Sequence, residues 1–151
     1  MSITKSAAIA VALVAGALPL LASAPAGADR TKAVNVKLLE FKVRPKPTRV
    51  KPGTVRFNVK NIGGVEHEMV VVRTDGAALP LAADGSVDED QVPEDAKIGE
   101  VEDVAPKKAK TFTAENLAPG SYTLFCNVVE TAGGTTLAHY AQGMHTNFTV
   151  G

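Results

Sequence analysis

The seven residues Thr54-Val55-Arg56-Phe57-Asn58-Val59-Lys60 alternate polar and apolar without a break. A period of two is the side-chain period of an extended strand, so Val55, Phe57 and Val59 face a core while their neighbours stay in water. Lys51-Pro52-Gly53 supplies the turn that leads into this segment. The same alternation marks an earlier strand at Val34, Val36 and Leu38, and Met69 to Val72 is an apolar, β-branched run suited to a buried strand. Lys108 to Ala114 and Ser121 to Cys126 form a further pair joined through Pro119-Gly120, and Phe148 to Val150 closes the sequence. No segment sustains a helical period. Short strands at regular spacing, separated by turn signals, predict an all-β antiparallel sandwich with Greek-key connections. Between them, Asp75 to Lys97 is rich in Ala, Gly, Pro and acid and reads as a long surface excursion with one short helix.

The first residues are set apart from this pattern. One positive charge lies in Met1 to Lys5, and Ala7 to Leu21 is uncharged, too short and alanine-rich for a stable membrane span. With the small-x-small site Ala26-Gly27-Ala28, this is a signal-peptide pattern, so residues 1–28 are expected to be cleaved and residues 29–151 to form a single domain. The alternative is an uncleaved anchor. No later apolar run approaches about 18 residues, so the mature chain is expected to be exported, periplasmic or extracellular, with no membrane span, and monomeric. The 16 basic and 16 acidic residues leave no excess of positive charge to call for nucleic acid. That balance hides a split: ten basic residues stand against Glu40 alone from Arg30 to Lys60, and twelve acidic residues against Arg73 and Lys97 from Glu66 to Asp103. Solvated strand faces and an acidic loop account for it, and two faces of opposite potential would also orient a docking partner.

The chemistry rests on scarce residues. A single cysteine excludes an intrachain disulfide. Parity along Tyr122-Thr123-Leu124-Phe125-Cys126 places the thiol on the same inward face as Leu124. After twelve intervening residues comes His139-Tyr140-Ala141-Gln142-Gly143-Met144, in which Met144 shares the parity of the apolar Phe148 and Val150 while His145 falls on the opposite face. Upstream, His67 follows the glycine turn Asn61-Ile62-Gly63-Gly64. A thiolate, two imidazoles and a thioether form a donor set suited to copper, in a trigonal His, His, Cys arrangement with a weak axial Met. Zinc fits it less well, because structural zinc sites take four strong ligands and thioether is not among them. Each residue also has a plain alternative: a buried cysteine or methionine as core filler, a histidine capping a loop. His145 could stand in for Met144 or His139, although its parity puts it on the surface. Asp84 to Asp90 carries acid at calcium-like density, but its glycine is misplaced for an EF-hand loop, leaving an acidic surface loop.

The segments Asn61-x-Gly-x-x-x-His67, Tyr122-x-x-Phe125-Cys126 and His139-x-x-x-Gly143-Met144, in that order on a β-rich exported chain, resemble the cupredoxins, the plastocyanin and azurin superfamily of small blue copper proteins. The resemblance covers most of residues 33–151. It implies a cupredoxin-like Greek-key β-sandwich of about 7–8 strands and one copper ion, with His67, Cys126 and His139 in the trigonal plane and Met144 axial. It also implies a one-electron carrier between redox partner proteins, not an enzyme, since four ligands leave no open position for substrate. The alternative in the same class of chain is a copper-binding, buffering or delivery protein; a third reading, from another class, is an immunoglobulin-like module or a thiol enzyme pairing Cys126 with a histidine.

Two departures from the family pattern carry expectations of their own. The Cys126-to-His139 spacing is long, and Glu130 to Thr136 reads as a turn or hairpin inserted there, which bears on how exposed His139 is. Glu68 stands where familiar members carry an asparagine that tethers the ligand loops; a carboxylate accepts hydrogen bonds but does not donate them, so the tether must differ.

Overall fold

The computed structural model describes residues 31–151, and the segment read as a signal peptide lies outside them. Among the described residues, eleven strands appear: β1 (Lys32–Leu39), β2 (Lys42–Lys46), β3 (Arg49–Val50), β4 (Gly53–Asn61), β5 (His67–Arg73), β6 (Lys97–Val104), β7 (Ala109–Leu117), β8 (Gly120–Phe125), β9 (Val129–Ala132), β10 (Thr135–Ala138) and β11 (His145–Val150). One sheet has the order β2-β1-β4-β7 and the other β3-β11-β8-β5-β6, while β9 and β10 form a separate hairpin. The two sheets make a sandwich whose substantial members are the expected eight strands, with β3 only a two-residue extension.

Alternation decides which side chains meet between the layers. Val34, Val36 and Leu38 of β1 and Val55, Phe57 and Val59 of β4 are all buried, and the register pairs Val34 with Phe57 and Val36 with Val59. From the facing sheet come Met69, Val71, Tyr122, Leu124 and Phe148, all in the same core, with the Phe148 ring edge-on to Phe57 at 5.4 Å between centroids. Each such side chain contributes roughly 1.5–3 kcal/mol through burial. Most pairings are antiparallel as expected, but β1 runs parallel to β4 and β3 parallel to β11. The cause is that β3 crosses to the other sheet before β4 returns beside β1.

β5 is buried on both faces, which explains its unbroken apolar run. Val70 and Val72 turn away from the main core and, with Phe125, pack under Val87 and Val92 of the 74–96 excursion. That excursion holds two short 3-10 turns, Glu89–Gln91 and Glu94–Ala96, in place of one helix. It is a surface excursion, as expected, whose Val87 and Val92 cover a small second core. Two edge strands are not evident from the sequence pattern. β2 contains Pro45, tolerated because the strand lies at a sheet edge. β6 mixes glycine with acid and is irregular in register against β5. At Gly99, whose φ is +140°, a Cβ would lie 2.7 Å from the Phe112 ring, so the bare backbone lets that ring in from the other sheet.

Candidate metal centre

Four segments bring their side chains to one end of the sandwich. His67 is the first residue of β5, and the loop before it is organised by the buried Asn61. The Asn61 amide donates from Nδ2 to the Val65 and Val104 carbonyls, both at 2.7 Å, and its Oδ1 accepts the Gly63 N–H at 2.8 Å. Glu40, in the two-residue connection between β1 and β2, reaches across to the same loop and accepts the Gly64 and Val65 N–H groups at 2.5 and 2.9 Å. A Cβ on Gly63 would sit 2.5 Å from that carboxylate, so any larger residue there would push the Glu40 carboxylate away from the loop.

Cys126 directly follows β8, and its backbone N–H donates to the Met144 carbonyl at 3.0 Å. His139 follows β10, and its carbonyl accepts from the N–H groups of Gln142 at 3.2 Å and Met144 at 3.1 Å. This tight turn, with Gly143 at φ +90°, gives the His-x4-Met spacing its physical sense: it returns Met144 beside His139. His67, Cys126, His139 and Met144 are all fully buried. His67 Nδ1 and His139 Nδ1 lie 3.2 Å apart, and Cys126 Sγ lies 3.9 Å from the first and 3.4 Å from the second. Bonds of about 2.0 Å to nitrogen and 2.3 Å to sulfur separate donors around one ion by roughly 3.4–3.8 Å, so the three atoms converge at the spacing a single metal needs. Among the described residues, no other group of three His, Cys, Asp or Glu side chains converges in this way.

His145 is exposed and stacks on Tyr140 at 4.6 Å, outside the cluster. Asp84 spends its carboxylate on the Ser86 backbone and hydroxyl groups, at 2.9 and 2.6 Å, and belongs to a surface turn as expected.

The surroundings are acidic and dry. Hydrogen bonds from its own amide, Val65 and Gly64 hold the Glu40 carboxyl down to about 2. Burial, followed by repulsion from His139, lowers the His67 imidazole, which favours the neutral ring a metal needs. Burial also pushes the Cys126 thiol up to about 11, so ligation has to expel its proton. The tether through Glu68 does differ from an asparagine's: its carboxylate accepts the Asn127 N–H at 2.9 Å, and its own backbone N–H points at Cys126 Sγ at 3.5 Å. Burial raises this carboxyl to about 7.

The inserted 127–138 loop is the β9–β10 hairpin, and it closes over His139. Glu130 Oε1 lies 3.3 Å from His139 Nε2, and Phe41 packs edge-on to the same ring at 5.1 Å. Sequence reasoning missed four residues here: Glu40, Phe41, Glu130 and Asn127. The available signals were slight, namely the lone acid in a basic stretch and the position directly after the cysteine. Asn127 ties the site to the 74–96 excursion through Val87 and Glu89.

A family model for the Cupredoxin-like domain matches residues 10–138. The chain belongs to this family. The match includes His67 and Cys126 and stops just short of His139 and Met144, whose places in this cupredoxin come from the geometry above. No curated protein sequence matches it. Solved structures of similar fold include auracyanin from the photosynthetic bacterium Roseiflexus castenholzii, at 21% identity over 80% of this chain and 98% of that one with a TM-score of 0.50. Rusticyanin from Thiobacillus ferrooxidans is 19% identical over 80% of this chain and 77% of that one, with a TM-score of 0.53. Auracyanin A from Chloroflexus aurantiacus, described as a "blue" copper protein, is 18% identical over 81% of this chain and 100% of that one, with a TM-score of 0.50. At these identities the likeness carries the sandwich fold, while family membership and the buried donor set make copper, one ion, the cofactor of this cupredoxin.

Proposed function

We propose that this cupredoxin is an exported one-electron carrier that works between redox partner proteins and turns over no substrate. In this reading His67 and His139 through Nδ1 and Cys126 through Sγ are the strong ligands, and Met144 is the weak axial one. When bound, copper supplies a one-electron Cu(I)/Cu(II) couple. The protein's part is to hold the ligands on hydrogen-bonded strands and turns, keep water away and bury the thiolate. The observation that carries the proposal is the convergence of two imidazole nitrogens and one thiol sulfur in a dry, preformed cluster. A set held this rigidly favours electron exchange over metal delivery, because release of an ion requires ligands that open. Export with removal of residues 1–28, leaving 29–151 as the domain, is supported by the signal-peptide pattern. No helix among the described residues is long and apolar enough to cross a membrane.

The test is the absorption spectrum of the copper-loaded protein, with reversible reduction followed on the same band. Intense visible thiolate-to-copper absorption, lost in Cys126→Ser and bleached and restored by one electron per protein, is the expected result. Uptake of Cu(I) without colour would turn the assignment to copper handling, and absence of copper uptake would sink both.

A further inference from the structure

Each histidine of the cluster has one nitrogen turned to the thiol and one turned outward. The outward Nε2 atoms of His67 and His139 are both buried, and neither makes a well-directed hydrogen bond. Each instead faces a carboxylate from a different part of the chain: Glu40 Oε1 at 3.6 Å from His67 and Glu130 Oε1 at 3.3 Å from His139. These acids are not a shared surface cluster. Glu40 comes from the β1–β2 connection and is fixed by two backbone N–H groups, whereas Glu130 comes from the β9–β10 hairpin, opposite Leu137. Both side chains keep about a third of their surface in water, 34% and 38%, so they stand between the buried rings and solvent.

We propose that Glu40 and Glu130 are paired positioning residues for the metal: each holds the proton of one ligand histidine on Nε2, freeing Nδ1 as the donor, and together they place two negative charges beside the site that favour the oxidised ion. The proposal rests on the copper reading above. A histidine ligand that donates its second N–H to a carboxylate is fixed in tautomer and made a stronger donor, and in this protein both histidines are provided for by carboxylates from separate elements. The same two acids close off the ring edges, so that a partner meets Glu40, Phe41 and Glu130 before it meets imidazole.

The experiment compares the wild type with Glu40→Gln, Glu130→Gln and the double variant. Glutamine keeps the oxygen that accepts the Gly64 and Val65 N–H groups, so the loop stays tied while the charge is removed. Affinity for Cu(II) relative to Cu(I) is expected to fall roughly tenfold in the double variant, equal to a rise of about 59 mV in a one-electron potential, with the visible band retained. In the copper-free protein, nitrogen NMR of the rings is expected to show both histidines protonated on Nε2, and Glu130→Ala to mix the two tautomers at His139 alone. A merely structural role would leave that tautomer ratio unmoved. A wild type with the proton on Nδ1, or a double variant whose relative affinity stays within twofold, would overturn the proposal while leaving a blue wild type intact. A colourless wild type would instead overturn the copper reading itself. Should Glu40→Gln fail to fold, Glu130→Gln on the hairpin carries the test by itself.

Discussion

Asn61 offers a measurement of how the His67 loop is held. Its side chain satisfies the Gly63 N–H and the Val65 and Val104 carbonyls inside the protein, all within 2.8 Å. Asn61→Ala removes the three bonds and leaves those backbone groups buried without partners. At about 1 kcal/mol per bond the loss is about 3 kcal/mol, which for a domain of this size lowers Tm by roughly 10 °C. Asn61→Asp is the sharper variant, being almost the same shape. It keeps the acceptor for Gly63 but turns an oxygen toward two carbonyl oxygens where an N–H₂ had donated, so the variant is expected to be at least as destabilised as the alanine. Urea denaturation of the copper-free protein gives the free energies, and thermal melts with and without copper check them. If Asn61→Asp unfolds within about 1 kcal/mol of wild type, the loop is not held by this side chain and the reasoning fails.

Three further outcomes follow from the geometry. Gly99→Ala forces a Cβ against the Phe112 ring at a φ of +140° and is expected to cost roughly 2 kcal/mol or more, measured by the same denaturation. Met144→Leu conserves core volume and is expected to cost less than about 1.5 kcal/mol; the visible band should persist while the reduction potential rises, and an unchanged potential by voltammetry would count against an axial role. Asp75 is lowered from its ordinary value of 3.8 by the Ser121 N–H and the Arg73 side chain. Because its folded value lies below the unfolded one, its contribution is complete above about pH 4 and fades as the pH falls through the folded value. Asp75→Asn should therefore be less stable than wild type at neutral pH and converge on it in acid, and parallel pH–stability curves would refute this.

What the sequence makes legible is whatever depends on period and scarcity. The alternation at Val34 to Leu38 and Thr54 to Lys60 places the inward faces of β1 and β4 correctly, and the parity of Cys126 and Met144 places both in the core. Scarcity singles out the three side chains that converge. What stays hidden depends on contacts between distant segments. β2 and β6 are edge strands that owe their extended form to β1 and β5, so Pro45 and Gly99 mask them. Nothing local announces that Glu40 lies against His67, or that the acid-rich 74–96 segment covers Val70 and Val72 as a second core. The inserted hairpin was readable as a hairpin, but its cover over His139 was not, because that depends on where the hairpin folds back.

The connection between β1 and β2 has a consequence for the whole molecule. Glu40 and Phe41 belong to one layer of the sandwich, yet they rest on His67 and His139, whose fellow donors flank strands of the other layer. A bound ion would therefore tie the ends of β5, β8 and β11 in one layer to the β9–β10 hairpin, while the other layer meets the site only through Glu40 and Phe41 beside the histidines. By mass action, free copper at a hundred times its dissociation constant adds about 2.7 kcal/mol to the stability of the assembled sandwich. The protein's resistance to unfolding would then be a gauge of the copper available around it.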